Sequence, residues 1–242
     1  MKVGSLGFAG SGKTTYLGAL TLSLLQGDST SDLVLFSFDG VDTTRDLTQF
    51  ADQIQKGYWP ARTQASKVSE YTLRLRRGET VFSLRIPELP GELLEAVWRT
   101  DHIPPQLAFL ADYDAYLLLI DPLQDDLDGA LARHVHLLQG IKRAKGLARD
   151  AYAPTPLAVV FTKWDAVADE DRALGAEGFA QEILPLLTDF VQSNFSAYGF
   201  FAVSAVGATD GAGSPLLQDE RIRPAGIFEP LEWLAAKRPQ PQ

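Results

Sequence analysis

Apolar residues fall along the chain in short dense runs separated by stretches of helical periodicity. Lys2 to Phe8 is an apolar run bordered by a glycine-rich stretch and predicts a buried strand. Residues 13–25 then read as a helix closed by Gly27. Asp32 to Asp39 predicts a strand too densely apolar to assign a face. Thr43 to Lys56 carries Leu47, Phe50 and Ile54 at helical spacing, with Gly57 as its stop. Tyr71, Leu73 and Leu75, then Arg76-Arg77-Gly78-Glu79, then Val81, Phe82, Leu84 and Ile86 predict an antiparallel hairpin. Near-continuous apolar runs at Ala115 to Ile120, Pro156 to Phe161 and Gly199 to Val203 have the character of strands buried on both faces. Helices are expected at about 128–146, 176–195 and 226–237. This alternation predicts an α/β three-layer sandwich, mainly parallel with one antiparallel hairpin. The expected organisation is one domain over 1–236, with an inserted strand and helix near 32–56. Gly207 to Ser214 looks like a linker, and 237–242 is expected to fray.

Composition narrows the classes. The 242 residues are 45% hydrophobic, enough for a sizeable core. A net charge of −9 argues against nucleic-acid binding and against a polybasic membrane anchor. The absence of cysteine excludes disulfides, a thiolate nucleophile and a cysteine zinc site. No run is long enough for a transmembrane segment and no secretory leader is read, so a cytoplasmic protein is expected.

Gly7-Phe8-Ala9-Gly10-Ser11-Gly12-Lys13-Thr14 fits the phosphate-loop pattern, with a strand before it and a helix after it. Its glycines let successive backbone N–H groups turn around an anion, and the following helix adds its positive dipole end. Ala9, Gly10, Ser11, Gly12, Lys13, Thr14 and Thr15 are therefore the expected nucleotide-binding stretch. Lys13 would neutralise the β- and γ-phosphates, and the Thr14 hydroxyl would ligate Mg²⁺.

Thr162-Lys163-Trp164-Asp165 follows the apolar run Leu157 to Phe161 and resembles the [NT]-K-x-D guanine signature of GTPases. At the carboxyl end of a strand, the Asp165 carboxylate can accept from guanine N1–H and N2–H₂, which adenine lacks. The Lys163 stem would lie along the purine. A helix-capping role for Asp165 is the alternative. Glu88-Leu89-Pro90-Gly91 looks like the D-x-x-G switch with Glu in the Asp position. Gly91 would then offer its N–H to the γ-phosphate, and Glu88 would reach Mg²⁺ through a water. Gly57 to Thr63 is a plausible first switch, in which Thr63 would contact Mg²⁺ and the γ-phosphate while Trp59 and Pro60 anchor the loop. Ser204-Ala205-Val206 resembles the S-A segment whose backbone touches guanine O6.

In this order the motifs resemble the translation-factor-related (TRAFAC) class of P-loop GTPases, a Ras-like P-loop NTPase fold. More narrowly the chain resembles the bacterial group called double-GTPase proteins. That likeness is carried by Gly10 to Leu17, Trp59-Pro60 with Thr63, Pro90-Gly91-Glu92 and Pro224 to Trp233. It implies GTP and GDP as ligands, Mg²⁺ as cofactor, and an unknown protein effector or regulator. Lys13, Gly91 and Glu92 form the expected catalytic set, with Glu92 where Ras-like enzymes place the water-orienting Gln. The reading is a GTP-binding switch with slow Mg²⁺-dependent hydrolysis. The alternatives are a non-hydrolysing scaffold and, further off, an ATPase whose Thr162-Lys163-Trp164-Asp165 is accidental.

Other signals carry less. His134 and His136 lie on different sides of a helix and lack a third ligand. Asp121, Asp125, Asp126 and Asp128-Gly129 look faintly like a calcium loop, but helix capping explains them better. Ser204 has no convincing triad partners, and Arg76-Arg77 reads as a solvated turn.

Overall fold

The computed structural model describes residues 1–27, 31–60, 69–88, 97, 103–124, 126–210, 213–218 and 221–237. In chain order the elements are β1 (Lys2–Leu6), α1 (Lys13–Gln26), β2 (Leu33–Phe38), α2 (Val41–Gln55), β3 (Ser69–Arg77) and β4 (Thr80–Glu88). There follow β5 (Ala115–Ile120), α3 (Leu127–Ala144), β6 (Leu157–Phe161), α4 (Asp169–Ala173), α5 (Gly175–Ile183), α6 (Pro185–Asn194), β7 (Tyr198–Ala202) and α7 (Glu229–Ala236).

The strands form a seven-stranded sheet in the order β2-β3-β4-β1-β5-β6-β7. β1 runs parallel to β4 and β5, and β5, β6 and β7 continue in parallel. The carboxyl ends of these five strands therefore share one edge, where ligands of such sheets bind. The expected α/β architecture is what the structure has. In the β3–β4 hairpin Arg77 pairs with Thr80, so Gly78-Glu79 forms the two-residue turn. The strand near 32–39 is β2, and it pairs antiparallel with β3. The antiparallel part is thus three strands wide rather than one hairpin.

Alternation along the central strands splits the core in two. Leu117, Leu119, Ala158 and Val160 face a layer of α1, α2 and α7, whereas Tyr116, Leu118, Ile120, Val159 and Phe161 face α3, α5 and α6. Both faces are covered, which explains the unbroken apolar runs. Helix α1 is buried without interruption from Tyr16 to Leu24, because α2 lays Leu47, Ala51 and Ile54 into its outer side. The buried Tyr16 phenol donates to the Ile227 carbonyl at 2.9 Å and ties α1 to the segment before α7.

Two expectations need correction. The single helix at 176–195 is two, α5 and α6, because Leu184 leaves the helical region and Pro185 opens a new helix at its first turn. The last helix begins at Glu229, not at 226, where Gly226 has a left-handed backbone. Residues 238–242 of the tail lie outside the described residues. Among the described residues no helix is long and apolar enough to cross a membrane.

Gly4 sits between β4 and β5, opposite Arg85 and Tyr116. A Cβ there would stand 2.1 Å from Cδ2 of Tyr113. That ring is buried and its phenol donates to Glu70 Oε2 at 2.9 Å, so it has little room to retreat. Gly4→Ala is expected to lower stability by about 1–3 kcal/mol, read as a lower urea midpoint at unchanged slope.

Candidate functional site

β1 ends at Leu6 and the chain turns through Gly7 to Gly12 into α1. Ser11 N–H donates to Phe8 O at 3.2 Å, and Tyr16 N–H donates to Gly12 O at 2.8 Å, which opens the helix. Gly12 takes the N-cap position with φ 81, a left-handed backbone that a side chain would strain. α1 has no side-chain cap and no acidic residue in its first turn. Neither its cap nor its first turn supplies a side chain to its leading N–H groups and positive dipole end. The Lys13 ammonium donates to Gly7 O at 2.5 Å and Phe8 O at 2.9 Å, with Ser11 Oγ at 3.4 Å, which centres it over the loop. Thr14 and Thr15 are half-buried in the first turn, while Ala9 and Gly10 are exposed.

The next strand ends build the other half. Thr162 follows β6, and its buried hydroxyl lies 3.1 Å from both Ser11 O and Ile120 O. It has one proton to share between the two carbonyls, and so joins the phosphate loop to the end of β5. Lys163 is the one non-glycine residue with positive φ among the described residues, at 54°. Its ammonium meets Asp121 Oδ2 at 2.5 Å. Trp164 donates its N–H to Val203 O at 3.1 Å and packs its ring against Phe161 and Phe179.

Asp165 is oriented from the side. Ser204 Oγ donates to Asp165 Oδ1 at 2.5 Å and itself accepts from Gly207 N–H at 2.8 Å. Ser204 and Ala225 exchange both backbone hydrogen bonds, at 2.9 and 2.8 Å, which fixes the loop after β7. Ala205 is half-buried, and the Val206 side chain is buried with Leu22, Ala51, Ile54 and Ile222. Only the backbone of Val206 is left to face a ligand. The structure thus brings the phosphate-loop residues, Thr162, Lys163, Asp165 and Ser204 to Val206 to one sheet edge. Glu88 ends β4 on the same edge. Thr63, Gly91 and Glu92 lie outside the described residues.

Trp59, expected as a loop anchor, donates its indole N–H to Gly213 O at 3.0 Å, so the linker-like stretch holds it. Two features were not read from the sequence as parts of this site. Asp121 was set aside with the calcium-like aspartates, although a carboxylate following a buried strand could have marked it. His134 supports the phosphate loop from α3: its ring meets Phe8 edge-on at 4.8 Å, and Arg133 lies 5.9 Å from the same ring's centroid. Its Nδ1 pairs with Ala130 O at 2.6 Å.

The profile of the double-GTPase 1 family matches residues 5–134, from β1 through the phosphate loop into α3. Among solved structures, the GTPase-like domain of S. cerevisiae Ski7, bound to GTP, superposes with a TM-score of 0.57 at 14% identity. That superposition covers 100% of this chain and 51% of the other, and the likeness is one of fold. The small GTPase Arl6 (BBS3) from Trypanosoma brucei, with a bound GppNp analogue, gives 0.47 at 15% identity, covering 98% and 95%. No functionally curated protein matches the chain. Thr162 to Asp165 and Ser204 to Val206 fall beyond the matched stretch, so their reading rests on the geometry above.

Burial pushes the His134 pKa down from 6.5 to about 4, with Arg133 and Lys13 adding to the effect and the Ala130 carbonyl opposing it. The unfolded chain takes up this proton near pH 6.5, whereas the native protein resists it until about 4. Unfolding therefore binds a proton in that window, and stability falls as pH drops through it, by up to about 3 kcal/mol from this residue. His134→Gln is expected to flatten that slope relative to wild type in urea unfolding at the two ends of the window.

Proposed function

As the chain belongs to the double-GTPase 1 family, we propose that it is a GTP-binding switch with slow, Mg²⁺-dependent hydrolysis. The observation that carries this reading is the Asp165 carboxylate, held by Ser204 at 2.5 Å on the strand edge that carries the phosphate loop. Its Oδ2 has no protein donor among the described residues and is left for guanine N1–H and N2–H₂. Thr162 bonds the base side of the site to Ser11 of the phosphate loop, so one rigid frame holds both ends of the nucleotide. We read residues 1–236 as one GTPase-like domain with 32–56 as its insertion.

Within that reading each group has a task. Ala9 to Thr15 wrap the phosphates, with Lys13 against the β- and γ-oxygens and the α1 N-terminus behind them. Ser204, Ala205 and Val206 offer backbone to guanine O6, and Lys163 lays its stem on the purine face. Thr14 in the first turn offers a hard hydroxyl oxygen to a divalent cation, and Thr63 and Glu88 would add oxygens of the same kind in a chain without cysteine. Mg²⁺ there would neutralise charge between the β- and γ-phosphates. Gly91 and Thr63 would bind the γ-phosphate through their backbones and so report its presence. Glu92 would accept a hydrogen bond from the attacking water. Its negative charge beside a triphosphate opposes that help, so turnover below the roughly 1–100 s⁻¹ of dedicated phosphoryl-transfer enzymes is expected.

Binding and turnover test this together. Wild-type protein with Mg²⁺ should bind labelled GTP well in excess of ATP, and Lys13→Ala should abolish that binding while keeping the fold. Asp165→Asn exchanges an acceptor for a donor, so it should lose GTP affinity and gain relative affinity for xanthosine triphosphate. Equal wild-type affinity for ATP and GTP would sink the guanine assignment.

Phosphate release decides between switch and scaffold. Glu92→Ala should lower kcat with little change in GTP affinity, since its contact forms mainly in the transition state. An unchanged or raised kcat removes Glu92 from the catalytic set. A wild-type rate equal to that of buffer leaves a non-hydrolysing scaffold.

A further inference from the structure

β5 and β6 pair in parallel with Ile120 opposite Phe161, so both strands release their chains at the same level of the sheet edge. Asp121 leaves β5 there, and Lys163 follows one residue behind the end of β6. The two side chains meet at 2.5 Å between Lys163 Nζ and Asp121 Oδ2.

The partners are not equivalent. Asp121 is already fixed: its Oδ1 accepts from Leu123 N–H at 3.0 Å, and its backbone carbonyl accepts from Gln124 Nε2 at 3.0 Å. Its side chain is 13% exposed, against 46% for Lys163. An incidental surface ion pair joins two mobile ends and contributes little. Here a rigid, mostly buried carboxylate captures the end of a flexible side chain. The left-handed backbone of Lys163 is also unfavourable for a residue with a Cβ, which marks a position determined by its surroundings.

We propose that Asp121 is a positioning residue of the nucleotide site, pinning the Lys163 ammonium so that the lysine stem is laid out in advance along one face of the purine. The proposal rests on the guanine-nucleotide reading above. A lysine left loose would lose rotamer freedom each time a base slid beneath it, and the Asp121 carboxylate removes that freedom beforehand. The division of labour with Asp165 is definite. Asp165 reads the edge of the base and discriminates, whereas the pinned stem covers its face and holds whatever purine the edge has accepted. Asp121 lies on the base side, so its effect is the same for GDP and GTP, unlike that of a residue sensing the γ-phosphate.

The test is a double-mutant cycle on dissociation of fluorescent GDP and GTP analogues, with Mg²⁺, from wild type, Asp121→Asn, Lys163→Met and the double variant. Asp121→Asn should speed release of both nucleotides by about five- to tenfold, and should add nothing once Lys163 is Met. Asp121→Ser, which keeps an oxygen for the Leu123 amide but no charge, should behave like Asp121→Asn. Thermal unfolding without added nucleotide should be close to wild type for at least one of the two. Unchanged release rates, an effect on GTP alone, or an equal acceleration in the Lys163→Met background would overturn the role of Asp121. If wild-type protein binds neither nucleotide, the guanine reading fails and this proposal with it. Firm wild-type binding with an unaltered Asp121 variant removes Asp121 alone.

Discussion

The Thr162 hydroxyl lies within hydrogen-bond distance of two carbonyls belonging to different parts of the chain, Ser11 in the phosphate loop and Ile120 at the end of β5. The position is buried, so neither water nor a substitute side chain stands ready to take over. Thr162 N–H also donates to Ile120 O at 2.9 Å, so one residue closes β1, β5 and β6 at their common edge. Everything the site needs hangs from that junction. The phosphate loop takes its place relative to β6, Lys163 and Asp165 are carried on the next three residues, and Trp164 passes the constraint to β7 through the Val203 carbonyl.

The second organising constraint is α2. A buried α1 needs cover on its outer side, and α2 supplies it with one apolar stripe while its other side stays polar. The far end of the same helix reaches the base-side loop: Ile54 and Ala51 pack with Val206 and Ile222, and Leu22 of α1 completes the cluster. The chain leaving α2 then runs to Trp59, whose indole is tied to Gly213. α2 and the residues that follow it thus hold the loop after β7 and, through Trp59, the stretch around Gly213. That is a mechanical link between the base side of the site and a segment proposed to sense the γ-phosphate.

Much of this frame is legible in the sequence because its causes are local. The apolar runs of β5 and β6 announce strands buried on both faces, and Gly7 to Thr14 announces its turn and helix by composition alone. Gly27 stops α1 where its residue type says it should, with a left-handed backbone. What escaped was decided mostly by distant contacts, with a local exception at Pro185. Periodicity across 176–195 is continuous through Leu184, and only the proline after it imposes the break. The bulge between Leu35 and Ser37 in β2 follows from pairing with β3 rather than from any turn residue. Asp121 and His134 look ordinary in one dimension. Asp121 and His134 join the site only because register brings the end of β5 beside β6, and because α3 passes under Phe8.

The two lysines of the edge are held differently, and the difference orients the functional reading. Lys13 Nζ is bonded to the carbonyls of Gly7 and Phe8, which hold it over the phosphate loop. Lys163 faces the Asp121 carboxylate, so its charge is largely cancelled before any ligand arrives. A chain of net charge −9 repels a triphosphate at long range, and attraction must come from a small region where positive field is left unopposed. The head of α1, with no acidic residue in its first turn, offers helix-dipole field of that sign at the β1–α1 turn. At the other end of the edge Lys163 is paired with Asp121 and the Asp165 carboxylate is held by the neutral Ser204 hydroxyl, a setting that suits an uncharged heterocycle with N–H donors. In the reading proposed above, the phosphates lie at the β1–α1 turn and the base at the Lys163–Asp165 end of the edge.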